Sequence, residues 1–239
     1  MEVPPAALLS RLKNLVVPAG ARPRRIKTGV FRGVCMQLDL RDRSQVFLGL
    51  YERELHRWMR ALGRQANTAI DVGAADGAYS LYFLLRTAVR SVFAFESDPA
   101  ALERLRINLR LNGLEDDARL DVLTAAAGTG LDHTVALDSL ARRIETPCVV
   151  KVDVEGHEID VLGGAAGLLE RRGVSWIIET HSLELEKACV RALQAHHLRV
   201  RIVSPAWWRF AVPEQRPIPH NRWLVATSAD SVDRTSGLT

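Results

Sequence analysis

From Thr68 onward, short β-branched and aromatic runs alternate with longer runs of helical period. That alternation predicts an α/β fold with a parallel sheet and crossover helices. Thr68-Ala-Ile-Asp-Val is the first strand, followed by a glycine-bearing turn and a helix to about Ala88. Ser91-Val-Phe-Ala-Phe is the second strand and ends at Glu96. Asp98 and Pro99 open the next helix as N-cap and first residue, Leu102, Leu105 and Leu109 share its buried face, and Asn112-Gly113 closes it. A third strand covers about Arg119 to Thr124, and an irregular stretch runs through Gly128 and Gly130. Val149-Val-Lys-Val-Asp-Val is the fourth strand. Ile159, Leu162 and Leu169 mark a helix that Gly163, Gly164 and Gly167 weaken. Ser175-Trp-Ile-Ile-Glu is the fifth strand, Ser182 caps a helix to about His196, and Leu198–Val203 and Trp223–Thr227 form a closing pair of strands.

Residues 1–66 stay outside the alternation, and only Glu52 to Leu62 reads as a helix there. The organisation expected is a basic arm and helical cap at 1–66, an α/β domain at 67–228 and a Ser/Asp/Thr-rich tail at 229–239.

Charge and cysteine usage refine this picture. The net charge is +4, yet residues 1–33 hold Arg11, Lys13, Arg22, Arg24, Arg25, Lys27 and Arg32 against Glu2 alone, a local +6. Such an arm either stays solvated or meets an anionic partner. Cys35, Cys148 and Cys189 are odd in number and form no CxxC pair, which argues against a disulfide framework and a zinc site and fits a cytoplasmic protein. No apolar run is long enough to span a bilayer, so no transmembrane segment is expected.

The turn after the first strand reads Asp71-Val-Gly73-Ala-Ala-Asp76-Gly77-Ala-Tyr79-Ser80. Its glycines let backbone approach a ligand where a strand becomes a helix. G-x-G-x-x-G fails, because Ala75 and Ala78 stand at the second and third glycine positions, and the Gly-Lys-Ser/Thr ending of a P-loop is absent. Asp71 can face a ligand's amino group, and Glu96, at the tip of the second strand, can accept ribose hydroxyls. S-adenosylmethionine, with an α-amino group, a carboxylate and a sulfonium, suits the combination.

With these pieces in place the chain resembles the FkbM family of methyltransferases. The matching stretches are Asp71 to Ser80, Ala94-Phe-Glu-Ser-Asp-Pro, Asn108-Leu-Arg-Leu-Asn112, Leu137-Asp138-Ser-Leu, Val150-Lys-Val-Asp153-Val-Glu155-Gly156-His-Glu158, Val161-Leu-Gly-Gly-Ala and Glu179-Thr-His181, in family order over about residues 68–182. The resemblance implies a Rossmann-like, seven-stranded sheet, S-adenosylmethionine as methyl donor, and a hydroxyl acceptor on a sugar, glycolipid or natural product. The family usually has Asn where Asp76 stands, and Pro-Asn or a similar pair where Ser97-Asp98 stands. The candidate donor-binding residues are Asp71, Gly73, Ala74, Gly77, Tyr79, Ser80, Glu96, Ser97 and Asp153.

Strand ends carry ligands in open α/β sheets. Asp153 and Glu179 end the fourth and fifth strands there, with Glu155, His157, Glu158 and His181 nearby. Methyl transfer to an alcohol needs a general base or an acidifying metal. The catalytic candidates are Asp153, Glu179 and His181, with His181 the leading base, since a histidine titrates near neutral pH. Glu155 and Glu158 equally suit helix capping. A Mg²⁺ site on Asp153, Glu179 and His181 is the alternative, although no spacing demands a metal. Lys151, inside a strand, needs an acid on a neighbouring strand or a path to the edge. Trp207-Trp208 offers either a platform for a sugar or apolar acceptor or packing for the closing strands. A nucleic-acid methyltransferase using the basic arm is the second functional reading, but no RNA-binding module and no Asn-Pro-Pro-Tyr-type motif accompanies it. A non-catalytic binding protein is the third, and the intact turn, Glu96 and Asp153 speak against it.

Overall fold

The computed structural model describes residues 17, 19–210, 212, 220 and 222–228. Arg11, Lys13 and the tail at 229–239 lie outside the described residues.

All seven strands expected from Thr68 onward form, and they share one sheet. In chain order they are β3 (Thr68–Val72), β4 (Ser91–Phe95), β5 (Leu120–Leu123), β6 (Cys148–Val152), β7 (Val174–Thr180), β8 (Arg199–Val203) and β9 (Arg222–Thr227), following a hairpin of β1 (Arg22–Arg25) and β2 (Cys35–Leu38). The lateral order is β5-β4-β3-β6-β7-β9-β8, and only β9 runs against its neighbours. The sheet is thus the mostly parallel, Rossmann-like one expected. The order reverses between β3 and β6, so the ligand crevice opens at their carboxyl ends.

Side-chain alternation divides the strands between two cores. Ile70, Phe93, Val150, Val152, Trp176 and Ile178 face one way, under α5 (Glu158–Gly163), α6 (Ala166–Glu170) and α7 (Leu183–Ala195). The glycines at 163 and 164 split the expected single helix into α5 and α6. Ala69, Val92, Ala94, Val149 and Ile177 face the other way, against α3 (Ala78–Arg86) and α4 (Pro99–Leu111). Ile26, Phe31, Met36, Leu38, Leu55, Trp58 and Met59 complete that second core. They come from the segment that also carries α1 (Leu40–Leu48) and α2 (His56–Gly63).

Two asparagines of the family-like stretch dock this segment. Asn108 Oδ1 accepts from the backbone of Gln37 at 2.8 Å, and its Nδ2 donates to the Asp76 carbonyl at 2.7 Å. Asn112 Oδ1 accepts from Cys35 at 3.0 Å and its Nδ2 donates back to the Cys35 carbonyl at 2.7 Å. The amides pair with the free edge of β2, which would otherwise bury unpaired backbone groups.

In the same N-terminal segment His56 is only 3% exposed. Its Nε2 donates to the Tyr51 carbonyl at 3.0 Å, and its Nδ1 has no hydrogen-bond partner among the described residues. Burial pushes its pKa down from 6.5 to about 4. The folded state therefore resists a proton that the unfolded chain accepts. The stability this histidine confers is complete above about pH 6.5 and falls as the pH drops toward about 4. Urea unfolding at about pH 7 and about pH 4.5 is expected to differ by roughly 2–3 kcal/mol more in the wild type than in His56→Gln. An equal loss in both chains would remove His56 from the acid sensitivity.

Candidate active site

A cavity of about 500 Å³ opens at the carboxyl ends of β3, β4 and β6. Gly73, Ala75, Glu96, Ser97, Asp98 and Asp153 line it, with Arg104, Ala125, Ala126, Thr134 and Val154 completing much of the wall.

Gly73 shows why the turn has its sequence. Its N–H and that of Ala74 both donate to the Phe95 carbonyl, at 3.0 and 2.9 Å. Its φ is +77°, and a Cβ placed there would stand 1.8 Å from the Asp153 carbonyl oxygen. Backbone thus approaches backbone at the mouth of the cavity, which only glycine permits. Glu96 ties the turn to the next loop. Its Oε2 accepts from Ala75 at 2.8 Å, while Oε1 accepts from Ser97 at 2.7 Å and Asp98 at 2.8 Å. Asp98 also caps α4 through Ala100 and Ala101, as its sequence position predicts.

Of the candidate donor residues, Gly73, Glu96, Ser97 and Asp153 come together around the cavity. Asp71, Ala74, Gly77, Tyr79 and Ser80 are not among its lining residues. The Asp71 carboxyl is buried and accepts from Ser80 Oγ at 2.7 Å; burial raises its pKa to about 6, against the lowering effects of Ser80 and Lys151. Gly77 caps α3 in a left-handed conformation with Leu105 above it. Tyr79 turns inward, and its hydroxyl donates to Glu52. Asp76 pairs with Arg43, which gives its extra charge a partner in the N-terminal segment.

Behind Asp153 lies a row of charges. Asp153 Oδ1 is 3.4 Å from His181 Nε2, and His181 Nδ1 is 2.5 Å from Glu158 Oε1. Glu179 Oε1 is 3.9 Å from His181 Nε2. Lys151 Nζ lies 3.7 Å from Asp153 Oδ2, 3.9 Å from Glu52 Oε1 and 4.0 Å from Glu179 Oε2. Lys151 and Glu158 are fully buried, whereas the Asp153 side chain is 25% exposed. Burial works against protonation of His181, but the Glu158 hydrogen bond and the Asp153 charge outweigh it and raise its pKa above the ordinary value. Asp153, Glu179 and His181 also present one ligand atom each within 4.8 Å of one another, close enough to hold a metal ion.

The three catalytic candidates are therefore brought together. Glu158, open between capping and function in the sequence, is the buried partner of His181. Glu155 and His157 line the cavity wall instead, with His157 Nδ1 3.2 Å from Asp160. Lys151 meets an acid on the adjacent β7, as expected, and also Glu52, which sequence reasoning missed. The signal available for Glu52 was indirect: a lysine in the middle of a buried strand requires acids from somewhere. Trp207 and Phe210 form an exposed aromatic pair, with ring centroids 6.3 Å apart. Arg209 between them is buried and clamps Glu54 at 2.7 Å, with Trp208 stacked over its guanidinium.

The Methyltransferase FkbM domain matches residues 132–202, the stretch that carries Asp153, Glu158, Glu179 and His181. Over these residues the chain is similar to that domain. The FkbM methyltransferase structure from Methylobacillus flagellatus KT superimposes with a TM-score of 0.52 at 18% identity, over 67% of this chain and 43% of that one. This chain thus spans less than half the length of that relative. An rRNA methylase from Streptococcus thermophilus gives 0.52 at 13% identity, covering 74% and 98% of the two chains. The precorrin 8w decarboxylase of Methanobacterium thermoautotrophicum gives 0.50 at 20% identity, covering 72% and 88%. At these identities the likeness is one of fold. No curated protein sequence matches the chain. Among the described residues, no helix is long and apolar enough to cross a membrane, and all three cysteines are free.

Proposed function

We propose that this protein is an S-adenosylmethionine-dependent O-methyltransferase acting on a hydroxyl of a sugar, glycolipid or natural product. The observation that carries the reading is the Glu158–His181–Asp153 row opening onto the cavity. An amine acceptor already has a nucleophilic lone pair, whereas an alcohol needs a group to receive its proton.

The cavity suits the donor. Gly73 lets the turn come close to Asp153 at the cavity mouth, and the Glu96 carboxylate stands at the strand tip where ribose hydroxyls are accepted. Gly73, Glu96, Ser97 and Asp153 are the residues that would hold S-adenosylmethionine, which supplies an electrophilic methyl group on a sulfonium. Asp153, the partly exposed member of the row, meets the acceptor hydroxyl and orients it. His181 takes the proton at Nε2. Glu158 fixes the ring by accepting from Nδ1, and its negative charge favours the imidazolium that results. Glu179 adds a second carboxylate beside the same Nε2.

The exposed Trp207 and Phe210 support a ring-bearing acceptor. β8 runs parallel to β7, so the segment following Val203 emerges at the same sheet edge as Asp153 and Glu179. Aromatic faces at that edge suit a sugar or apolar ring. The three unpaired cysteines fit a cytoplasmic setting.

The test is transfer of a labelled methyl group from S-adenosylmethionine to a panel of glycans, glycolipids, hydroxylated natural products and RNA, with mass-spectrometric location of the label. Methyl ether formation on a glycan or natural product is expected. Label confined to RNA would overturn the reading in favour of a nucleic-acid substrate.

A further inference from the structure

Two carboxylates and an imidazole within 4.8 Å of one another form an arrangement that a divalent cation would bind. Lys151 gives this cluster a different solution. It sits in β6, flanked by β3 and β7, and is fully buried. Asp153 and Glu179 each turn one oxygen toward His181 and the other toward Lys151. The ammonium is 3.7–4.0 Å from three carboxylates, ion-pair range but beyond hydrogen-bond reach, and Nζ has no hydrogen-bond partner among the described residues. It also lies 5.1 Å from the centre of the Tyr79 ring, whose hydroxyl holds Glu52 in place. A group aimed into the middle of a carboxylate cage, and bonded to no single member of it, serves the cage as a whole.

We infer that Lys151 is the resident cation of the Asp153–Glu179–His181 cluster, supplying the charge that a divalent metal would otherwise bring, and that removing it converts the cluster into a metal site. Lys151 is a positioning residue in this account. It keeps two carboxylates together beside one imidazole without a metal, and its long stem is anchored in the central strand, where it cannot move away. The inference concerns metal binding and is independent of the acceptor.

The experiment is a titration of MnCl₂ followed by electron paramagnetic resonance, in which bound Mn²⁺ loses its free-ion signal. Wild-type protein is expected to leave the signal unchanged at millimolar Mn²⁺. Lys151→Met is expected to bind at least tenfold more tightly than wild type and to gain thermal stability with Mn²⁺. Because three carboxylates without a cation can prevent folding, the double variant Lys151→Met, Glu52→Gln is the second test. It loses one charge of each sign, retains the three candidate ligands, and should bind Mn²⁺. Adding Asp153→Asn to it should abolish that binding. Wild-type binding of Mn²⁺ that Asp153→Asn removes, or a folded double variant with no binding, would overturn the inference.

Discussion

Gly73→Ala is expected to abolish measurable donor binding and to cost the fold roughly 2–4 kcal/mol, the range reached when a strained backbone and an overpacked contact combine. The first contribution is conformational, because φ at this position is +77° and an alanine Cβ disfavours it. The second is steric and larger. The new methyl would stand 1.8 Å from the Asp153 carbonyl oxygen, inside any contact distance. Asp153 N–H donates to Val72 at 2.9 Å, and Gly73 and Ala74 are pinned to Phe95, so neither side can yield alone. Relief requires the ends of β3 and β6 to separate, which displaces Asp153 and the wall of the cavity together. Gly113→Ala separates the two contributions. It has a similar φ of +69° with nothing within 4 Å of its added Cβ, so it should cost only about 1–2 kcal/mol and leave donor binding intact. Urea unfolding and donor calorimetry on both variants check the pair. Equal behaviour would show that the Gly73–Asp153 approach has no special role.

His181→Ala should lower kcat by about 10²–10⁴ with little change in donor affinity. The histidine stands behind Asp153 and is not among the cavity-lining residues, so its loss removes a proton acceptor without stripping donor contacts. Glu158→Gln should move kcat in the same direction and by less, since the amide still reaches Nδ1 but no longer favours the charged ring. Single-turnover methyl transfer with donor affinity measured alongside distinguishes this from a binding defect. Full activity in His181→Ala would transfer the base role to Asp153 or Glu179.

The proposed donor half of the site was legible in the sequence because it is local. Strand, turn, helix and the acid at the next strand end fall within Thr68 to Glu96, and period and glycine placement fix their relation. Even there, legibility stopped at the direction of side chains. Tyr79 and Ser80 begin α3 as expected, yet both are buried, towards Glu52 and Asp71. The charge row was half legible. Asp153, Glu179 and His181 follow from the ends of adjacent strands, but Glu52 joins them only through tertiary docking of a segment in which the Glu52–Leu62 helix alone was legible, and helical period does not say what that helix meets. The rest of that segment builds four-residue strands, one containing Pro23, and a helix interrupted at Arg43, all too short or irregular to read. Its docking is recorded in Asn108 and Asn112, whose amides serve a strand more than seventy residues earlier. No local rule assigns a helix asparagine that task.

The most direct test of the account is calorimetric titration of S-adenosylmethionine into the wild-type chain. Saturable binding at a single site, absent in Gly73→Ala, is the predicted result. No heat of binding at millimolar donor, from a chain shown to be folded, would contradict it.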